Sequence, residues 1–242
     1  MSGSDLPGFS PLLRSAGEHP LHYRVRPACP GPAAARPLAL LLHGAGADES
    51  SLLPLAQRLP SHVHVVVVRA PRRMPRGGYF WYPVHFRRDD AEINLQQVEW
   101  AQTRLLQFVE QLPRHCPFDL RQLYLLGFSQ GGAVASTFAL SHPGRVRGLA
   151  LLASRLLSHL EPVAPRDDLA TLRLFIAHGR DDDVLPIEHA ERAAQALRAC
   201  RAAVVWRSYD GVGHAPAGVM FDDTAAWLRG HCPPPARVDA AA

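Results

Sequence analysis

The sequence predicts an α/β fold in which helices flank a mostly parallel central sheet on both faces. Two patterns indicate this class. Short, nearly continuous apolar runs recur along the chain, as expected of strands buried on both faces. Helix-length segments separate these runs, so strands and helices alternate. No apolar run approaches the roughly 20 residues that a membrane-spanning helix requires, and we therefore expect no membrane span.

Each predicted strand ends in a turn signal. The strands are Leu38–Leu42, Val63–Val68, Leu123–Phe128, Leu149–Leu152, Leu172–Ala177 and Ala203–Trp206, with an added edge strand at Leu21–Arg26. The predicted helices are Ser50–Arg58, Asp90–Leu112, Gln130–His142, Pro186–Arg201 and Ala215–Arg229. Asp89 and Asp90 are start signals for the second helix, and Pro113 is its stop signal. We expect a single domain over residues 9–232, with flexible tails at 1–8 and 233–242.

The charge pattern argues against nucleic acid as a partner. The net charge is +4, and every basic residue is arginine. The arginines are scattered among acidic residues instead of forming basic blocks, so net charge alone gives no binding surface. Beyond the arginine-rich segment Arg72–Arg88, the sequence has no basic helix or aromatic–basic platform of the kind that binds nucleic acid.

The cysteines indicate a reducing compartment. Cys29, Cys116, Cys200 and Cys232 are far apart and form no C-x-x-C pair, which argues against a zinc site or a redox pair. We expect isolated thiols, although a disulfide between two distant cysteines stays open. The first eight residues lack the charged and apolar regions of a secretory signal, so we expect a cytoplasmic protein.

The strongest motif is a G-x-S-x-G formed by residues 127–131, with Ser129 at its centre. It follows a predicted strand and opens a predicted helix, which is the setting of a nucleophile elbow. Such a serine sits at the tip of a strained turn, and the glycines on either side relieve crowding there. We therefore predict that Ser129 is a catalytic nucleophile.

A serine hydroxyl needs a base, and in this kind of site the acid and then the histidine follow the serine along the chain. The histidines after Ser129 are His142, His159, His178, His189, His214 and His231. His214 lies in a glycine-containing loop after the last predicted strand, which makes it the best candidate. His178 ends a strand, where we expect it to shape a turn.

The acid is expected after the strand Leu172–Ala177, where Asp181, Asp182 and Asp183 follow one another. Residue chemistry alone leaves these three alternatives open. One aspartate should accept a hydrogen bond from the histidine, while the others bind loop amides or cap the next helix.

Two backbone N–H groups are expected to form an oxyanion hole. Gln130, directly after the serine, supplies one. The loop His43-Gly44-Ala45-Gly46 follows an early strand in the right place, and Ala45 is the expected second donor.

Taken together, these motifs resemble the phospholipase/carboxylesterase family of α/β-hydrolases, which includes acyl-protein thioesterases. The resemblance rests on H-G-A-G-A-D at 43–48, G-F-S-Q-G-G at 127–132, the H-G-x-x-D loop from His178, and Gly213-His214. It covers the chain from about Leu38 to Leu228. The resemblance selects Asp182 as the acid. It also implies an enzyme without metal or cofactor, acting on small-molecule acyl esters or thioesters, with a homodimer as one assembly that occurs among relatives.

The resemblance implies less about the acyl pocket. A family region carrying a tryptophan near the site aligns loosely with Arg72–Arg88, which suggests Trp81 as a lining residue. Leu156 and Leu157, in the segment Ser154–Thr171, are candidates for another wall, although core packing explains them equally well. Val184 is a further candidate.

We therefore expect a serine carboxylesterase that cleaves short- to medium-chain esters through an acyl-enzyme. The alternatives are an acyl thioesterase or lysophospholipase with the same triad, and a non-catalytic binding protein on the same scaffold.

Overall fold

A computed structural model describes residues 8–28, 36–86, 91–114, 116–160, 166–232 and 234. Apart from residues 8 and 234, the predicted tails lie outside the described residues. Cys29, Asp89, Asp90 and the last two residues of Arg72–Arg88 lie outside them as well.

Twelve strands form among the described residues. They are β1 (Leu13–Arg14), β2 (His22–Arg26), β3 (Leu38–Leu42), β4 (His64–Arg69), β5 (Arg72–Arg73), β6 (Tyr79–Phe80), β7 (Val84–Phe86), β8 (Ala91–Ile93), β9 (Leu123–Phe128), β10 (Gly148–Leu152), β11 (Arg173–Gly179) and β12 (Ala203–Tyr209). Eight of them build one sheet in the order β1-β2-β4-β3-β9-β10-β11-β12. The strand pairs from β4 to β12 are parallel, whereas β1 and β2 are antiparallel additions. The predicted fold class is confirmed.

The predicted strands are all present, with one difference of position. The run at Leu21–Arg26 forms β2, but β2 is not the edge of the sheet, because the short strand β1 pairs along its outer side. A strand of two residues carries too little periodicity to be recognised in the sequence. Strands β5 and β6 pair as a small ribbon, as do β7 and β8.

In the part of the chain that the structure describes, the α-helices are α1 (Leu53–Arg58), α2 (Leu95–Gln111), α3 (Gln130–Ser141), α4 (Glu188–Ala199) and α5 (Gly218–His231). Helix α2 begins at Leu95 and not at Asp90 as predicted. Asn94 is its N-cap, and the Asn94 side chain accepts hydrogen bonds from the next turn. Among the described helices, none combines the length and apolarity needed to cross a bilayer.

The sheet carries a separate apolar cluster on each face because alternate side chains of a strand point in opposite directions. In β3, Leu38, Leu40 and Leu42 join the cluster covered by α2, α3 and α4. Ala39 and Leu41 join the cluster covered by α1 and α5. The core thus fixes the sheet between two helical layers, and the carboxyl ends of the parallel strands meet along one edge.

A cluster of one buried carboxylate and two arginines stabilises the chain segment that follows β3. The Glu49 carboxylate is almost fully buried and accepts hydrogen bonds from Arg69 at 2.6 and 2.8 Å and from Arg24 at 3.3 Å. These partners lie on β2 and β4, so the segment that follows the loop around Ala45 is tied to two neighbouring strands. The loop itself is held near the sheet.

Candidate active site

Ser129 occupies the sharp turn between β9 and α3. Its φ of 51° and ψ of −119° are in a region that a non-glycine residue rarely adopts. The two flanking glycines make the turn possible for a steric reason. A Cβ at Gly127 would lie 2.5 Å from the Cα of Gly132, and one at Gly131 would collide with the Leu42 carbonyl oxygen. The strain is therefore held by close backbone contacts on both sides.

Two hydrogen bonds hold the strained turn in place. The Ser129 N–H donates to the Leu152 carbonyl oxygen at 2.9 Å, which ties the turn to the end of β10. The Ser154 hydroxyl donates to the Ser129 carbonyl oxygen at 2.8 Å. Ser154 was not predicted from the sequence, because nothing in a lone serine after a strand distinguishes this contact.

Ser129, His214 and Asp182 form a chain of hydrogen bonds. His214 Nε2 lies 2.9 Å from Ser129 Oγ, and His214 Nδ1 lies 2.8 Å from Asp182 Oδ2. The Asp182 side chain is fully buried, whereas the His214 side chain is 15% exposed. Since Oδ2 can only accept, Nδ1 carries the hydrogen and Nε2 is free to accept the Ser129 proton.

The loops that carry Asp182 and His214 are joined to each other. The Asp181 N–H donates to the Val212 carbonyl oxygen at 3.0 Å, and the Arg180 N–H donates to the Tyr209 carbonyl oxygen at 2.9 Å. Gly179 permits this approach, because a Cβ there would collide with the Val212 carbonyl. The acid and the histidine are thus positioned by direct backbone contact between their loops.

Asp182 has hydrogen-bond donors at both carboxylate oxygens. Oδ1 accepts from the Val184 N–H at 3.1 Å and the Leu185 N–H at 2.7 Å. Oδ2 faces His214 and also His178, whose Nε2 is 3.1 Å away. His178 is fully buried, and burial lowers the pKa of its imidazole. The sequence pattern predicted only a turn-shaping role for His178.

The two predicted oxyanion donors lie beside the serine. Ala45 and Gln130 line the same cavity as Ser129. Gln130 is the first residue of α3, so its N–H has no partner within the helix and points with the positive end of the helix dipole. Gly44 brings the other loop close, because a Cβ there would lie 2.9 Å from the Phe128 ring and 3.2 Å from the Ser129 Cβ.

The side chain of Gln130 has a second role that the sequence did not indicate. Its Oε1 accepts from the Trp81 N–H at 2.8 Å, and its Nε2 donates to the Tyr82 carbonyl oxygen at 2.7 Å. These bonds fasten the segment before β7 to the start of α3. One wall of the site is thereby anchored to the nucleophile elbow.

A cavity of about 620 Å³ opens at Ser129 and His214. Most of its lining is apolar and comes from the β5–β6 ribbon, the segment around β7 and β8, and the loop after Asp182. The apolar lining residues are Ala45, Met74, Pro75, Phe80, Tyr82, Pro83, Val84, Ile93, Ala133, Val184, Leu185 and Pro186. Arg155, Asp183 and His189 add polar groups. The cavity suits an apolar group attached to a carbonyl carbon held at Ser129. Within the described residues, no group of three or more His, Cys, Asp or Glu side chains is arranged to hold a metal ion.

Comparison with known proteins identifies the family. The sequence model of the family described as Phospholipase/Carboxylesterase matches residues 29–232. The chain belongs to that family.

Relatives of this phospholipase/carboxylesterase family member include thioesterases and esterases. Acyl-protein thioesterase 1 of Gibberella zeae is 31% identical over 47% of this chain and 49% of its own length, so the match spans about half of that relative. The crystal structure of esterase PE8 is 26% identical, with a TM-score of 0.74 over 86% of this chain and 97% of that one. A carboxylesterase structure from Mesorhizobium loti is 26% identical, with a TM-score of 0.72 over 87% and 95%.

Three of the pocket residues suggested by the sequence lie elsewhere in this family member. Trp81 is fully buried, and its indole N–H donates to the His43 carbonyl oxygen at 2.8 Å. Leu156 and Leu157 are buried in the apolar cluster beneath α2, α3 and α4. None of the three lines the cavity, whereas Val184, which is 57% exposed, does. Sequence cannot separate these cases, because an apolar side chain suits a core and a pocket wall equally.

Proposed function

We propose that this protein is a serine carboxylesterase that hydrolyses short- to medium-chain carboxylic esters through an acyl-enzyme intermediate. One observation carries the proposal: Ser129 Oγ, His214 and Asp182 are joined at 2.9 and 2.8 Å, and Ser129 and His214 line a mostly apolar cavity. The family to which the chain belongs supports hydrolysis of an acyl bond.

In the first half of the reaction, the ester carbonyl lies beside Ser129 with its acyl chain in the apolar cavity. Nε2 of His214 takes the hydroxyl proton as Oγ attacks the carbonyl carbon, and Asp182 stabilises the imidazolium that forms. The backbone N–H groups of Ala45 and Gln130 stabilise the oxyanion. His214 then gives the proton to the leaving alcohol, and the acyl group remains on Oγ.

In the second half, water replaces the alcohol. His214 Nε2 takes a proton from the water as its oxygen attacks the acyl carbon, and the same oxyanion donors stabilise the second tetrahedral intermediate. The C–Oγ bond breaks, Oγ regains the proton from His214, and the carboxylic acid leaves. All proton transfers involve one histidine and need no external cofactor.

The proposal is tested with p-nitrophenyl esters from acetate to palmitate. We expect wild-type turnover to peak at a short or medium chain, because the cavity has a finite apolar volume. Ser129→Ala should lose about 10⁴-fold or more in kcat. Ser141→Ala is the control, since Ser141 is an exposed serine at the far end of the same helix, and it should keep wild-type rates. Residual turnover in Ser129→Ala close to that of wild type would refute the mechanism.

A second candidate is an acyl thioesterase that uses the same residues. The similarity to acyl-protein thioesterase 1 favours it. A matched pair of an ester and a thioester with the same acyl chain separates the two functions. A kcat/KM that is larger for the ester supports the carboxylesterase, and a kcat/KM that is at least tenfold larger for the thioester would replace it with the second candidate.

We also propose a cytoplasmic setting, where thiols stay reduced. Cys116 and Cys232 are buried thiols, and burial raises the pKa of each to about 11. A thiol with so high a pKa is a poor nucleophile at neutral pH, which suits a structural role. Mass spectrometry of the protein purified without reductant would test whether Cys116 and Cys232 are free thiols, since both are expected to be unmodified.

A further inference from the structure

His178 lies behind the proposed triad and has no part in the mechanism derived above. It is the penultimate residue of β11, four residues before Asp182, and its side chain is fully buried. Its Nε2 lies 2.8 Å from the Leu185 carbonyl oxygen and 3.1 Å from Asp182 Oδ2. The imidazole therefore touches both the acid and the loop that carries the acid.

The contacts of the ring fix its tautomer. Both atoms near Nε2 are acceptors, so Nε2 carries the hydrogen and donates it. Nδ1 is buried and has no hydrogen-bond partner among the described residues. A second proton there would add a buried, unsatisfied, charged N–H, which is costly. The ring is thus a neutral donor, and burial lowers its pKa.

Three hydrogen bonds reach the Asp182 carboxylate, and the His178 N–H, which donates to the Leu185 carbonyl oxygen, lies 3.1 Å from it. The N–H groups of Val184 and Leu185 reach Oδ1, while His214 and His178 lie against Oδ2. The two backbone donors belong to the loop of Asp182 itself. His178, on β11, therefore brings a contact from the central sheet to Oδ2.

We propose that His178 is a positioning residue that holds Asp182 Oδ2 in line with His214 Nδ1. The inference rests on the proposed function, because it assigns a role to a neighbour of the proposed acid. His178 contacts Asp182 and Leu185 and does not itself line the cavity, so its proposed effect on the reacting atoms passes through Asp182. Losing this contact lets the carboxylate turn away from His214.

Three substitutions at His178 distinguish the effect of its N–H donor from the effect of its side-chain volume. His178→Gln keeps an N–H the same number of bonds from Cα as Nε2. His178→Asn keeps polarity but places its amide one bond shorter, at the position of Nδ1. His178→Leu keeps bulk and removes the donor. Each is assayed on the best p-nitrophenyl ester at a temperature where circular dichroism shows it folded.

We expect His178→Asn and His178→Leu to lose about 10- to 100-fold in kcat, the order of loss that follows a misplaced catalytic group. KM should change less than kcat, because His178 itself does not line the cavity. His178→Gln should stay within about threefold of the wild-type kcat, which is a much smaller loss than a misplaced catalytic group causes. If His178 had a purely structural role, the three substitutions would lower the stability by similar amounts, and their kcat values would not follow this order.

A spectroscopic measurement gives an independent readout. The proton on His214 Nδ1, bonded to Asp182, should resonate far downfield in wild type and in His178→Gln. It should move upfield or broaden away in His178→Asn. An unchanged resonance and a wild-type kcat in His178→Asn would overturn the proposal, as would a loss in His178→Gln equal to that in His178→Asn. If wild type itself hydrolyses no ester or thioester, the proposed function fails instead.

Discussion

Gln130 contributes to the site through its backbone and through its side chain. The backbone N–H is a proposed oxyanion donor, and the side chain bonds Trp81 and Tyr82, both of which are buried. Gln130→Met keeps the backbone donor and the length of the side chain. It leaves a buried N–H and a buried carbonyl without partners, so we expect a loss of about 2–4 kcal/mol in the free energy of unfolding.

Urea denaturation measures this loss. Gln96→Met is the matched control, because Gln96 is exposed on α2 and its side chain makes no such bridge. It should change the free energy of unfolding by less than about 0.5 kcal/mol. Equal midpoints for the two variants would show that the bridge to Trp81 and Tyr82 contributes nothing to stability.

The residues of the site differ in how far sequence could predict them. The sharp turn at Ser129 was predictable because a G-x-S-x-G between a strand and a helix has a steric cause, seen in the close contacts at Gly127 and Gly131. Three consecutive aspartates could not be separated by chemistry alone, since only the turn after β11 decides which carboxylate faces His214. Ser154 and His178 were missed because their partners are far from them in the sequence or depend on loop geometry.

At the scale of elements, the glycines of α3 and α5 should respond in opposite ways to alanine. Gly131 lies where α3 crosses the end of β3, and a Cβ there collides with the Leu42 carbonyl. Gly230 lies in α5, and a Cβ there meets no atom within 4 Å. Gly131→Ala should cost about 1–3 kcal/mol in the free energy of unfolding. Gly230→Ala should gain about 0.5–1 kcal/mol, because alanine loses less backbone entropy in a helix.

Thermal unfolding of both variants checks this pair. We expect a lower midpoint for Gly131→Ala and a slightly higher one for Gly230→Ala. Ester hydrolysis by Gly131→Ala should fall as well, since the same glycine borders Ser129. If Gly131→Ala unfolds like wild type, α3 and β3 can move apart at no cost, and the close packing proposed for the elbow is wrong.

The start of α2 shows why element boundaries are harder to predict than elements. Asp90 and Asn94 are both good N-cap residues, and each precedes a helical pattern. The choice falls on Asn94 because residues 91–93 pair with 84–86 as a two-stranded ribbon. That pairing is a contact made across a turn, so the local sequence of α2 carries no sign of it.

At the scale of the whole molecule, buried histidines make stability depend on pH. His43 is fully buried, its Nδ1 donates to the Gly44 carbonyl at 2.7 Å, and its Nε2 accepts from the Ala70 N–H at 2.9 Å. A proton on Nε2 would face that donor. Burial lowers the pKa of His43 and of His178 below the ordinary value of 6.5.

The sign of the effect follows from proton counts. Below about pH 6.5 the unfolded chain binds protons at these histidines while the folded chain does not, so the free energy of unfolding falls as pH falls. Each histidine contributes a slope of up to about 1.4 kcal/mol per pH unit in that window. Urea titrations at pH 7.5, 6.5 and 5.5 should show the loss. His43→Gln should reduce the slope, whereas Ser141→Ala, a change at an exposed site that removes no titratable group, should leave it intact.

The fold class could be predicted from sequence because each buried parallel strand must be apolar on both faces. That demand produces continuous runs such as those of β3 and β9, which no polar alternation interrupts. The order of strands in the sheet could not be read in the same way. The residues of β3 do not indicate that β4 lies on one side of it and β9 on the other.

That order has a consequence for where the site lies. The chain leaves β3 toward β4, then returns past β3 to start β9 on its opposite side and continues outward to β12. After β3 the chain enters α1 on one face of the sheet, and after β9 it enters α3 on the other. The two connections diverge and leave a crevice between the strand ends, a topological switch point. Ala45 and Ser129 flank that crevice. The order in which the chain forms its strands therefore determines where the proposed site lies, independently of the side chains it carries.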